Sequence, residues 1–202
     1  LCEQALALIA QGDLPAAQAL LEQAVAAAPE AARARIELAR LQRLMGQPAA
    51  VLATLKTLGE RNPAALPLAA PLMVEAATAT GRTPEVQALL QAHYAQAPSL
   101  DVLESIVAME TANETTRDTA RQRYVQHLDK ERSLVAAAKW LASEKLEHEE
   151  FHPQIQRALE HAVKPLTRYR CAACGFEARQ HFWQCPGCQT WDSYPARRVE
   201  EL

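Results

Sequence analysis

The chain has 202 residues and a net charge of −3, from 21 basic and 24 acidic side chains. A chain of this length can bury a core without disulfides, and its near-balanced charge provides no overall field to hold a polyanion. Alanine (41 residues) and leucine (26) dominate, whereas glycine occurs only six times. Because this mixture favours helix over sheet, we expect an almost all-α protein. The balanced charge predicts that it has no nucleic-acid partner.

Three glycines mark an internal repeat. Gly12, Gly46 and Gly81 lie 34 and 35 residues apart, and each is followed by a proline within three residues and by another at plus 17. The first proline suits the opening turn of a helix, and the second ends that helix. Small or branched residues recur at minus seven and plus five, and leucine at plus nine: Ala5, Ala39 and Val74; Ala17, Val51 and Val86; Leu21, Leu55 and Leu90. Each unit is therefore predicted to be a helical hairpin.

The same register extends beyond the glycines. Thr115 takes the place of the fourth turn, with Ala108, Ala120 and Tyr124 at the recurring positions. Glu149 takes the place of the fifth turn, with Ala142 seven residues before it; Ser133 is a candidate N-cap and Pro153 a candidate first helical residue. The pattern resembles the tetratricopeptide repeat, which implies about five hairpins over residues 1–165, stacked into a curved solenoid with a concave surface.

A second module is predicted at residues 167–202, which hold four of the five cysteines. Cys171 and Cys174 form one C-x-x-C hook, and Cys185 and Cys188 form another after ten intervening residues. This spacing can close around one tetrahedral ion, so we expect one divalent metal, zinc in the first place with iron as the alternative. Two disulfides are the competing arrangement, although paired hooks on a helical body fit a reducing compartment better.

The turns and aromatic residues of this module carry further expectations. Gly175 supplies the positive φ that the first hook prefers, whereas Gln189 stands at the matching place in the second hook. That turn must therefore tolerate a non-glycine residue or relax through Gly187. The aromatic side chains are expected to build the small core of the module: Tyr169, Phe176, Phe182, Trp183, Trp191 and Tyr194.

The residues around the hooks resemble a known module. The strings at 169–176 and 182–188, followed by Trp191, are similar to the rubredoxin-type metal-binding module of the LapB (lipopolysaccharide assembly protein B) family, in which a tetratricopeptide body precedes the same tail. The resemblance implies a non-enzymatic adaptor at the cytoplasmic face of the bacterial inner membrane. It would restrain lipopolysaccharide synthesis by presenting the deacetylase LpxC to the membrane protease FtsH. It also implies a membrane anchor upstream of Leu1, with residues 1–202 themselves soluble.

Two other functions compete with the adaptor. A four-cysteine site can hold a redox-active iron, as in an electron carrier, and a zinc ribbon can bind nucleic acid.

One motif in the sequence resembles that of an enzyme. His148, Glu149 and His152 match the zinc-protease pattern H-E-x-x-H. Pro153 disfavours helical geometry at His152 and so separates the two histidines, and no catalytic residue is assigned.

A scaffold would use the surface of its helices. Arg33, Arg40 and Arg43 recur on one stripe of a helix around Ile36, and they are candidate partner-binding residues; an ordinary solvated face is the alternative. The short link at Lys164 and Pro165 predicts that the cysteine module docks on the end of the solenoid. We expect the apolar residues there to meet aromatic residues of the module: Leu159, Ala162 and Val163 against Phe182, Trp183 or Trp191.

Overall fold

The computed structural model describes residues 1–113, 115–144 and 151–202. They form two compact units, Leu1–His93 and Tyr94–Leu202. The helices are α1 Cys2–Gln11, α2 Leu14–Ala27, α3 Ala32–Leu44, α4 Pro48–Arg61, α5 Leu66–Thr80, α6 Thr83–Gln96, α7 Leu100–Ala112, α8 Arg117–Ala120, α9 Gln122–Leu128, α10 Leu134–Ser143 and α11 His152–Val163. Short 3-10 turns lie at Pro63–Ala65 and Val199–Glu201, and two strands, β1 Tyr169–Arg170 and β2 Glu177–Ala178, complete the described structure. The predicted all-α class is confirmed.

The turns of the first unit follow the predicted repeat. Gly12, Gly46 and Gly81 end their helices with φ of +85°, +71° and +68°, a left-handed conformation that L side chains rarely adopt. Helix α2 opens with proline in its first turn, as does α4, and both end two residues before the next proline. The glycine and proline pattern therefore predicted the helix boundaries here.

The core of the first unit consists of the recurring positions. The residues at plus five and plus nine are at most 1% exposed, and Ala5 and Ala39 are fully buried. Consecutive helices from α1 to α5 pack on one another. Val74, predicted at a close contact, is only half-buried, because Met73 beside it takes the interior position. The recurring positions of the repeat, Val74 excepted, therefore lie in the interior of the first unit, as predicted.

The second unit keeps the pairing of helices with a changed register. The partner of α7 is divided into α8 and α9, and Ala120 and Tyr124 are buried as predicted. Ala108 is exposed, which corrects the prediction; Met109, one residue on, is buried instead. Successive side chains of an α-helix are rotated by about 100° around its axis. A shift of one position therefore exchanges an interior side chain for an exposed one.

The fifth hairpin is partly as predicted. Ser133 caps α10 by accepting a 2.9 Å hydrogen bond from the N–H of Ala136, which confirms the predicted N-cap. Ala142 is exposed, contrary to the predicted close contact. Pro153 lies in the first turn of α11, but His152 is the first residue of that helix, which corrects the prediction that Pro153 disfavours helical geometry at His152. His148 and Glu149, the other residues of the protease-like motif, lie outside the described residues.

The cysteine segment contacts the helices of its own unit through its C-terminal turn. Glu200 accepts hydrogen bonds from the Ser133 hydroxyl (2.7 Å) and from the Leu134 N–H (2.5 Å) at the start of α10. Glu201 accepts one from the Leu100 N–H (2.7 Å) at the start of α7. These N–H groups have no partner within their own helices, so both carboxylates act as caps supplied from a distance. Docking on this unit is therefore observed, and these contacts are polar rather than the expected aromatic ones.

Among the described residues, none of the helices combines the length and the apolar character needed to cross a bilayer.

Candidate metal centre

The two hooks have the same local hydrogen bonds. In the first, the Gly175 N–H donates to the Cys171 carbonyl (2.9 Å), and in the second, the Gln189 N–H donates to the Cys185 carbonyl (2.9 Å). Gly175 has φ +77°, and Gln189 adopts the same left-handed region with φ 62°. The second turn therefore tolerates its non-glycine residue, which settles the alternative that the sequence left open at Gly187.

The hairpin and the bridge bring the hooks face to face. Strand β1 pairs antiparallel with β2 around the first hook, and Gln184 forms an isolated bridge with Trp191 around the second. Each hook thus lies in the bend of a small antiparallel pair. This local pairing holds the two cysteines of each hook close together in space.

The four sulfurs form a compact cluster. The Sγ atoms of Cys171, Cys174, Cys185 and Cys188 all lie within 4.8 Å of one another. Cys171 and Cys188 are 3.8 Å apart at Sγ, and Cys174 and Cys185 are 3.7 Å apart. A tetrahedron with metal–sulfur bonds of about 2.3 Å has edges of about 3.8 Å, whereas a disulfide measures about 2.05 Å. The donor set therefore fits a four-cysteine metal site, and all five cysteines of the chain are free.

The electrostatics of the cluster favour a bound cation. The Ser193 hydroxyl, 3.2 Å from Sγ of Cys171, lowers the pKa of Cys171 to about 6. The Phe176 backbone acts to lower the pKa of Cys174, but desolvation and hydrogen bonds with the neighbouring thiols raise it to about 12. Sulfurs this close cannot all ionise by themselves. A divalent ion stabilises every thiolate at once, because metal binding releases the remaining protons.

Aromatic side chains surround the buried half of the cluster. Tyr169 and Tyr194 are 6% and 5% exposed, and His181 contacts both rings edge-on. The Tyr194 hydroxyl donates a 3.1 Å hydrogen bond to the Phe176 carbonyl. Phe176 and Trp191 themselves are each 44% exposed, which corrects the prediction that they belong to the core of the module.

A buried ion pair joins the module to α7. The Arg198 guanidinium contacts both carboxylate oxygens of Asp101, and its carbon lies 4.4 Å from the centre of the Tyr169 ring. Asp101 has only 6% of its side chain exposed. Sequence reasoning missed this network, since a charged residue in a helix and another near the chain terminus carry no local pattern that pairs them.

The predicted arginine stripe lies on α3 in the first unit. Arg33 pairs with Glu3 of α1, and Ile36 within the stripe is 1% exposed. Arg40 pairs with Glu37 and Arg43 with Glu75 of α5, at 2.9 and 3.6 Å. Both of these arginines keep more than half of their side chains exposed. A groove of about 420 Å³ lies beside Arg43, lined also by Val51, Leu72, Glu75, Ala76 and Ala79. Arg40 and Arg43 are thus available on the surface, whereas Arg33 is only 20% exposed, and neighbouring carboxylates balance the charge of all three.

Comparison with protein families defines the class. Residues 169–194 match the rubredoxin metal binding domain of the LapB zinc-ribbon type, and residues 8–74 match the tetratricopeptide repeat. The chain combines tetratricopeptide repeats with a rubredoxin-type metal-binding module.

The chain is also similar to individual proteins of known name. The chain is similar to lipopolysaccharide assembly protein B of Escherichia coli K12, with 25% identity over 211 residues, covering 100% of this chain and 53% of the relative. The proteins of the same name from E. coli O6:H1 and O157:H7 match equally. The predicted resemblance to LapB is confirmed, and the chain spans about half the length of the curated relatives it matches.

One solved structure supports the fold. The crystal structure of MamA superposes with a TM-score of 0.50 at 14% identity, covering 77% of this chain and 93% of that one. At this identity the likeness concerns the fold alone.

Proposed function

We propose that the protein is a non-enzymatic adaptor that regulates lipopolysaccharide biosynthesis by presenting the deacetylase LpxC to the membrane protease FtsH, at the cytoplasmic face of the bacterial inner membrane. The observation that carries the proposal is the similarity to lipopolysaccharide assembly protein B along the entire chain, together with this chain's matches to the tetratricopeptide repeat and to the LapB-type metal module.

The metal centre has a structural role in this proposal. Cys171, Cys174, Cys185 and Cys188 would hold one zinc ion, which supplies binding free energy to a segment too short to bury a sizeable core. The buried pair, Cys171 and Cys185, is surrounded by Ser193 and the aromatic side chains. These residues exclude water from one side of the site and hold the hooks in place.

Partner binding is assigned to the arginine stripe of α3. Arg40 and Arg43 are exposed beside an apolar groove, so a partner segment could exchange their intramolecular carboxylates for its own. Arg33 is only 20% exposed and would act at the edge of this surface. Surface ion pairs contribute little stability, and replacing them in a complex costs correspondingly little.

Crosslinking in the native bacterium tests both parts of the proposal. The full-length protein, its double variant Arg40→Glu and Arg43→Glu, and the control Arg61→Glu on α4, which is 57% exposed, are each captured from living cells. We expect the protease and the deacetylase with the wild type and the control, and neither with the double variant.

Other outcomes of this capture contradict the proposal. Recovery of both partners by the double variant would show that the arginine stripe is not the partner-binding surface. Recovery of a reductase instead of the protease would favour an electron carrier, and recovery of RNA would favour a nucleic-acid-binding ribbon.

A further inference from the structure

The two hooks expose their cysteines unequally. Cys171 and Cys185 are buried, at 1% and 0% exposure, whereas Cys174 and Cys188 are exposed. The exposed members are the second cysteine of each hook, and their Sγ atoms lie within 4.8 Å of each other, so they form one exposed edge of the cluster. A solute that reacts with sulfur therefore reaches these two atoms first.

Each exposed sulfur also has a buried partner in the opposite hook. Sγ of Cys188 lies 3.8 Å from that of Cys171, and Sγ of Cys174 lies 3.7 Å from that of Cys185. Cysteines that sense oxidants react as thiolates, are accessible to solvent and stand beside a second cysteine that resolves the oxidised sulfur. Because a bound metal keeps all four sulfurs in the thiolate form, exposure is what distinguishes them here. Cys174 and Cys188 are both accessible and both lie beside such a second cysteine.

We propose that Cys174 and Cys188 are a peroxide modification site, at which oxidation forms a disulfide between the two hooks and releases the metal. The proposal rests on metal binding by the four cysteines, as proposed above. Hydrogen peroxide is the oxidant, and a thiolate in this cluster is the reductant.

The reaction balances in two steps. The thiolate of Cys174 or Cys188 attacks one peroxide oxygen, the O–O bond breaks, and a sulfenic acid and hydroxide form. The buried thiolate of the opposite hook then attacks the sulfenic sulfur and displaces a second hydroxide, which leaves a disulfide. Two thiolates have lost two electrons to one peroxide. The ion retains two of its four sulfur ligands, so the closed site is lost and the ion dissociates.

The test uses the full chain with Cys2→Ala, which removes the remaining thiol and leaves the metal module intact. Zinc content is measured first, after which peroxide is added in the presence of dimedone, a trap for sulfenic acids. Released zinc is followed with a chelating dye, and adducts and disulfides are mapped by mass spectrometry at partial reaction.

We expect about tenfold more adduct on Cys174 and Cys188 than on Cys171 and Cys185, because reactivity follows exposure of the thiolate. Without the trap, we expect a disulfide between hooks and release of one zinc per disulfide.

Equal labelling of buried and exposed cysteines, a disulfide within one hook, or oxidation with zinc retained would each overturn the proposal. A chain that takes up no zinc before peroxide is added contradicts the metal site itself. That result is distinct from a zinc-bound chain that reacts first at Cys171 or Cys185, which contradicts the oxidation site alone.

Discussion

The phenolic hydroxyl of Tyr169 donates a 2.9 Å hydrogen bond to Oδ2 of Asp101 on α7. Burial, together with the charge of the Asp101 carboxylate, raises the pKa of Tyr169, so the hydroxyl stays protonated and donates at any physiological pH. Asp101 precedes Tyr169 by 68 residues in the chain. Because Tyr169 lies two residues before Cys171, this bond connects the first hook to a distant helix.

Asp101→Asn is predicted to destabilise the second unit. The substitution removes the charge that compensates the Arg198 guanidinium, which keeps only 21% of its side chain exposed. Loss of one partner of a largely buried pair costs about 2–3 kcal/mol once the remaining solvent access of Arg198 is allowed for. Urea unfolding of the metal-loaded protein measures the change. Glu160→Gln, on the exposed face of α11, is the matched control, and an equal loss in both variants would contradict the role of Asp101.

Glu200→Gln is predicted to weaken the start of α10 by about 1 kcal/mol, the usual contribution of a helix cap and of a negative charge near a helix N-terminus. Ser133→Ala removes the local cap and is expected to cost a similar amount. Since the Ser133 hydroxyl also donates to Glu200, the two effects should not add. A double-mutant cycle on the free energy of unfolding measures this coupling, and strict additivity would show that the two caps act separately.

Metal removal is predicted to reduce hydrogen-exchange protection at residues 100–103 and 134–136. Tyr169 precedes the first hook and the turn Val199–Glu201 follows the second, so loosening the hooks frees the groups that hold the starts of α7 and α10. Exchange measured by mass spectrometry before and after chelation gives the change, with α2 in the first unit as the internal control. Unchanged protection at both helix starts would mean that the caps persist without metal.

The free energy of unfolding is predicted to fall as the pH is lowered below about 6.5. Burial lowers the pKa of His127 from 6.5 in the folded protein, against the opposing influence of Glu131 and Glu200. The unfolded chain therefore binds more protons than the folded one between the two pKa values, and stability rises with pH across that window and is lost below it. His127 is 3% exposed and lies 2.6 Å from the Tyr94 hydroxyl.

Unfolding curves at several pH values test this prediction with His127→Gln, which should reduce the slope of stability against pH. Burial also lowers the pKa of His93, so part of the slope should remain. His161→Gln, at an exposed site, should keep the full slope. An undiminished slope in the His127 variant would assign the dependence to other groups.

Local sequence patterns predicted much of this protein. The helix ends at Gly12, Gly46 and Gly81 follow from backbone conformation alone, because only glycine adopts a left-handed turn without strain. The N-cap at Ser133 and the two cysteine hooks are equally local, since each requires residues only a few positions apart. The hook at Gln189 shows the limit of this reasoning: the turn forms despite its side chain, because the same hydrogen bond closes it.

Tertiary structure decided the interior register beyond the glycines. Ala108 and Ala142 continue the period of the earlier repeats but are exposed, because the period fixes a side chain's direction only while the helix keeps the same packing partners. Likewise, Phe176 and Trp191 remain 44% exposed although they are large and apolar. Which apolar side chains a small module buries depends on the surface that the module contacts. The residues of that surface are distant in sequence, so the local pattern does not reveal them.

The sequence by itself determined the helix boundaries at the glycines and prolines of the first unit and the grouping of the four cysteines, since these depend on propensity, turn geometry and short spacings. Only the tertiary structure decided that Glu200 and Glu201 cap two helices and that Arg198 meets Asp101. Carboxylates and guanidinium groups are compatible with almost any exposed position in a sequence. They acquire a specific role when folding brings them to buried charges or unpaired N–H groups, because only there does desolvation make a missing partner costly.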